Sequence, residues 1–199
     1  MHDLTKITLS PDELELVRDS DWILTKRAII NKAIALFNEL FAGYSNIIRE
    51  NKDLLPAEAI SISPKISKGE NYRGLPWVVL DYPRCFRGKD IFAIRTMFWW
   101  GNFFSITLHL SGKYTLMLYV NSEKIGPEDL ICVNSDQWQH HFEESNYKLS
   151  GSLSECELED HLKRKDFVKI AHRYPLSQWN IIQPLLLRSF EKMIDLVVT

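Results

Sequence analysis

Two adjacent histidines precede two acids in His140-His141-Phe142-Glu143-Glu144. On a helix, His140 and Glu144 would share one face and could ligate a metal or pass a proton. On a strand, His140 turns inward with Trp138 and Phe142, and His141 points out with Glu143. Large groups at every second position favour the strand. A closed metal site also needs about four ligands, so neither a metal nor a cofactor is expected, and His140 stands as a candidate acid or base. His109 is the second such candidate. It alternates with Thr107 and Ser105, and aromatic side chains with a few convergent polar groups are the usual lining of a small-molecule site. The plainer alternative is that both histidines hydrogen-bond inside a covered sheet.

A basic, glycine-spaced stretch offers different chemistry. Residues 60–95 hold seven cations (Lys65, Lys68, Arg73, Arg84, Arg87, Lys89 and Arg95) against three acids, with Gly69, Gly74 and Gly88 among them. Glycine-permitted turns can aim backbone amides and cations at one anion. Lys65, Lys68, Arg73, Arg84 and Arg95 are therefore the ligand-binding candidates. Residues 120–160 hold ten acids against two lysines, so the two stretches could instead face each other or simply solvate. Trp100 and Phe103 join the candidates from the tip Phe98-Trp99-Trp100-Gly101-Asn102-Phe103-Phe104, which is a partner or ligand surface if bare and core if covered.

Enzyme classes with loud sequence signatures are not expected, while classes without one stay open. Ser111-Gly112-Lys113 resembles the tail of a phosphate-binding loop, but Tyr114 stands where Ser or Thr is needed. No GxGxxG, GxSxG or HExxH occurs.

The elements that must position these groups read as follows. Ser10-Pro11-Asp12-Glu13 is a capping box opening a short helix to about Arg18. A second cap at Asp19–Asp21 opens a long helix, striped by Ile30, Ile34, Phe37, Phe41, Tyr44 and Ile48 and ending before Pro56. Residues 60–64 alternate as an edge strand, and Trp77–Leu80 is a second strand bounded by Pro83. Runs 91–100 and 103–110 flank Gly101-Asn102 as a two-residue hairpin, pairing Thr96 with Thr107 and Ile94 with His109. In that register Ala93, Arg95, Met97 and Trp99 join Phe104, Ile106, Leu108 and Leu110 as the core face under the long helix. Residues 114–120 fit strand or helix. Leu130–Val133, residues 138–142 and Phe167–Tyr174 read as strands. Ser154 caps a helix to about Lys165, and a last helix from near Pro184 buries Leu186, Phe190, Met193 and Val197.

The whole is a single α+β domain, 1–199, with a mostly antiparallel twisted sheet of five to seven strands packed by long N- and C-terminal helices. Its 199 residues are 45% hydrophobic and 25% charged, the ordinary globular mix. A net charge of -2 gives no global pull toward nucleic acid or anionic membrane. Three scattered cysteines, no signal peptide and no apolar run near the roughly 18 residues of a membrane span imply a cytoplasmic protein with free thiols. The expected function is a binding or interaction module using the aromatic-rich sheet face, with a small anionic ligand or a protein as partner. The alternative is an enzyme on a small anionic or phosphorylated substrate. There Lys65, Lys68, Arg73 and Arg84 would hold the anion, and His109 or His140 would move a proton.

Overall fold

The computed structural model describes residues 7–164 and 166–198. Both N-terminal helices form where their caps lie: α1 spans Pro11–Arg18 and α2 Ser20–Glu50, with Asp19 accepting from the Trp22 N–H. Ile30, Ala33, Phe37, Leu40, Tyr44 and Ile48 form the buried stripe of α2. Ile34 and Phe41 lie half-buried at its edge.

A seven-stranded antiparallel sheet follows: β1 Lys65–Tyr72, β2 Leu75–Arg87, β3 Asp90–Trp99, β4 Phe103–Ser111, β5 Leu130–Cys132, β6 Tyr147–Leu149 and β7 Phe167–Pro175. Its spatial order is β1-β2-β3-β4-β7-β5-β6. The short helices α3 (Ala57–Ile60), α4 (Thr115–Tyr119) and α5 (Glu155–Arg164) lie in the connections, and α6 (Ile182–Asp195) closes the chain. Residues 114–120 thus resolve as helical. Among the described residues, no helix is long and apolar enough to cross a membrane. Among the described residues, no disulfide joins Cys85, Cys132 and Cys156.

Four sequence expectations are corrected. The edge strand is 65–72, because a helical turn takes residues 57–60. β2 runs through Pro83, which lies in a register shift between Asp81 and Arg84, where the missing N–H breaks no ladder pair. Residues 138–142 form no strand. The fourth concerns the hairpin. Its loop has three residues, Trp100–Asn102, so Trp99 pairs with Phe103, Thr96 with Ile106 and Ala93 with His109. Gly101, at φ +70°, takes the third position of a turn closed by the Asn102 N–H on the Trp99 carbonyl at 3.1 Å. The Trp100 N–H is drawn to the Pro76 carbonyl on β2 at 3.0 Å instead of facing Phe103.

That shift re-sorts the sheet faces. Phe92, Ile94 and Phe98 now share a face with Phe104, Ile106, Leu108 and Leu110, and all seven belong to the main core with α2 and α6. The only polar member of that run, Thr96, is met by the Tyr44 hydroxyl at 3.0 Å, and Tyr44 stacks on Phe190 of α6 at 3.8 Å. A two-residue loop would have put Ser105, Thr107 and His109 beside Ile94 and Phe98. Burial of apolar surface at ~25 cal/mol per Å² therefore favours the longer loop.

Candidate functional site

The odd-numbered face collects what the helices cannot cover: Ala93, Arg95, Met97 and Trp99 with Phe103, Ser105, Thr107 and His109. An irregular segment, residues 133–146, crosses it. Phe142 packs edge-on to Phe103 (5.0 Å) and stacks with Tyr147 (4.5 Å). His141, expected outside, is buried at 8% exposure.

The polar groups beneath that segment form one connected set. Asp81 and Arg95 are direct cross-strand partners, and the carboxylate accepts from Nε at 2.7 Å and Nη2 at 2.9 Å. Arg95 Nη1 lies 2.9 Å from His140 Nε2. A guanidinium only donates, so Nε2 accepts and the His140 proton sits on Nδ1. Burial, then the Arg95 charge, holds this imidazole well below its usual range. His109 Nε2 meets the Gln137 side-chain oxygen at 3.0 Å. Burial, then Lys169, lowers its pKa to about 3. Lys169, the β7 partner of His109, is fully buried and donates to the Gln137 and Gln139 carbonyls at 3.1 and 2.6 Å. Burial brings it to about 8. At neutral pH the set therefore holds two neutral imidazoles, a closed Arg–Asp pair and one ammonium that makes no ion pair among the described residues, the Asp136 carboxylate acting on it only from farther away. Its net charge is positive.

A cleft of about 390 Å³ opens beside this set, lined by Tyr72, Trp77 and Trp138 with Lys65, Arg95 and His140 among its polar groups. The Tyr72 hydroxyl accepts the His140 backbone N–H at 2.7 Å, which ties the crossing segment to β1. Gly69 lets the Trp77 indole lie on β1, because a Cβ there would sit 2.6 Å from the ring. Trp138, half exposed, stands edge-on to His109 at 5.7 Å. Behind the cleft, a cavity of about 10 Å³ touches Lys169, His109 and Thr107. That is room for about one water.

The structure thus brings Lys65, Arg95 and His140 to one cleft, with His109 just behind it. It does not bring the other candidates there. Lys68 is on the opposite face of β1, beside α2. Arg73, at φ +50° in the β1–β2 turn, pairs with Glu143. Arg84 Nε donates to the Ser63 carbonyl at 2.7 Å. Trp100 packs on Phe98 in the helix-side core, whereas Phe103 is buried on the odd face. Among the described residues, no group of three or more His, Cys, Asp or Glu could hold a metal ion.

One constellation escaped the sequence reading. Asp129 Oδ1 meets His172 Nε2 at 2.7 Å, His172 Nδ1 meets Ser189 Oγ at 2.7 Å, and Ser189 Oγ meets Tyr174 Oη at 2.6 Å. Burial raises the Asp129 pKa, but donors from His172, Lys192 and Gly126 outweigh it and the net shift is downward. An ionised Asp129 requires the His172 proton on Nε2. With the ring neutral, Ser189 then donates to Nδ1 and Tyr174 to Ser189. The residue types are those of a nucleophilic triad, yet Ser189 is 3% exposed between α6 and the sheet. A cleft of about 460 Å³ borders the set through His172, Tyr174 and Lys192, but Ser189 is not part of its lining, so we read the chain of bonds as a strut. His172 and Tyr174 alternate on one strand and Ser189 precedes Phe190 in the buried stripe of α6. Those hints were legible, but their meeting was not.

No known protein family, curated protein or solved structure matches the chain.

Proposed function

We propose that this protein is a binding module that takes a small, flat, anionic molecule in the cleft between β1–β3 and the 133–146 segment. The supporting observation is the convergence of three aromatic side chains, Tyr72, Trp77 and Trp138, with Lys65, Arg95 and His140 around about 390 Å³. That volume falls in the ~300–1,000 Å³ range of small-molecule sites. The aromatic faces suit a planar group. The anion is favoured by Lys65 at the mouth and by the Lys169 ammonium buried behind, since Arg95 is already neutralised by Asp81. Catalysis by His109 or His140 has less support. Both rings are held neutral, one nitrogen of each is already bonded within the fold, and so low a pKa makes His109 a weak base.

Tryptophan fluorescence, titrated with a panel of aromatic carboxylates and nucleoside monophosphates, tests this reading. Saturable quenching is expected, weakened by salt and by Lys65→Ala and reduced at least tenfold by Trp77→Ala. Each decade corresponds to about 1.4 kcal/mol. Quenching unaffected by both substitutions would remove the cleft from consideration.

A further inference from the structure

Helix α1 buries none of its residues against the described part of the chain. All of its residues are exposed, including Leu14 at 40%, Leu16 at 52% and Val17 at 69%. Yet its N-terminus is fully capped. Ser10 Oγ accepts the Glu13 N–H at 3.2 Å, and the Ser10 N–H donates to the Glu13 carboxylate at 2.7 Å. A helix this short is marginal in water even when capped, because few hydrogen bonds follow a costly first turn. Its exposed apolar side chains would complete its stability if something covered them.

A matching surface lies on the same molecule. Between the start of α2 and the edge strand β1 is a cleft of about 530 Å³, lined by Ile23, Ile30, Lys26, Arg27, Lys68 and Glu70 among others. Lys26 and Glu70 neutralise each other at 2.5 Å. Arg27 and Lys68 are exposed and make no ion pair among the described residues. The cleft therefore joins apolar isoleucines to a positive rim. α1 presents the complement: Leu14 and Val17, three apart on one face, with Asp12, Glu13 and Glu15 against a single Arg18.

The chain's own α1 cannot fill this cleft. One residue, Asp19, separates α1 from α2, whereas an antiparallel helix pair needs a loop of about 2–5 residues. The cleft also begins at Ile23, within the first turn of α2, too near for α1 to double back onto it. We propose that α1 of one copy docks in the α2–β1 cleft of a second copy, reciprocally about a two-fold axis. Closed two-fold pairing satisfies both helices and both clefts with one contact type. One short helix covers less than the ~800 Å² per partner of a stable interface, and reciprocal exchange doubles the contact. This surface lies across the sheet from Lys65 and its cleft, so the inference stands independently of the ligand reading.

Sedimentation equilibrium of the full chain at micromolar concentration tests it. A dimer is expected, with affinity falling as salt rises. Arg27→Glu with Lys68→Glu should give a monomer of unchanged far-ultraviolet circular dichroism, as should Asp12→Lys with Glu15→Lys. Mixed in equal amounts, the two variants should associate, because the reversed cleft then meets the reversed helix and the unaltered cleft meets the unaltered helix. A wild-type protein monomeric throughout, a dimer that survives in both variants, or a mixture that stays monomeric would each overturn the proposal.

Discussion

His109 stays neutral inside the sheet but protonates freely once the chain unfolds. Its folded pKa of about 3 lies below the ordinary histidine value. Between the two values the unfolded state binds more protons, so stability rises with pH. The contribution is complete above about pH 6.5 and is lost progressively as pH falls toward about 3. His140 shifts the same way. His109→Gln removes one titrating group while keeping a polar partner for Gln137. Chemical denaturation between about pH 6 and pH 4 should show a slope of stability against pH shallower by about one proton, or ~1.4 kcal/mol per pH unit. Identical slopes in the two proteins would mean that His109 takes up its proton without opposing the fold.

At the scale of elements, the Tyr174–Ser189–His172–Asp129 chain joins β7, α6 and the turn before β5. Asp129 is fully buried and accepts from His172, Lys192 and the Gly126 N–H. Asp129→Asn keeps the volume but removes the charge that organises these donors. Breaking a buried, bonded charge set costs about 3–5 kcal/mol. Because Lys192 is partly exposed and can turn to water, a loss of about 2–4 kcal/mol in urea unfolding is expected. A midpoint equal to that of the wild type would show that the strut carries no stability.

Across the whole molecule the sheet is covered twice, by helices on one side and by an irregular segment on the other. The helix layer is held by apolar packing. The segment has little regular structure to satisfy its backbone, and Lys169 supplies two of the missing donors, to the Gln137 and Gln139 carbonyls. Lys169→Met should therefore loosen one layer and spare the other. Hydrogen exchange is expected to accelerate through residues 134–146 and to stay unchanged in α2 and α6. Equal acceleration in both layers would show that the two are one cooperative unit.

Local rules were enough for much of this. Ser10 and Glu13 cap α1, Asp19 caps α2 and Ser154 with Glu157 precedes α5, because capping is settled within four residues. The stripe through Leu186, Phe190 and Met193 likewise marked the buried side of α6, since helical period alone sets which side chains share a face. The α+β architecture followed from those periods. What local rules could not choose was the hairpin register. Gly101-Asn102 suits a two-residue loop in isolation, and only the Pro76 carbonyl on the next strand and the apolar helices above the sheet select three. That one-residue choice places Arg95 on the same face as Thr107 and His109, and hence beside His140. The cleft depends on it. Lys68 and Lys65 are separated more simply, because alternation along β1 sends side chains three apart to opposite faces. Charge density along a chain does not specify convergence; the pleat and the partners of each strand decide it.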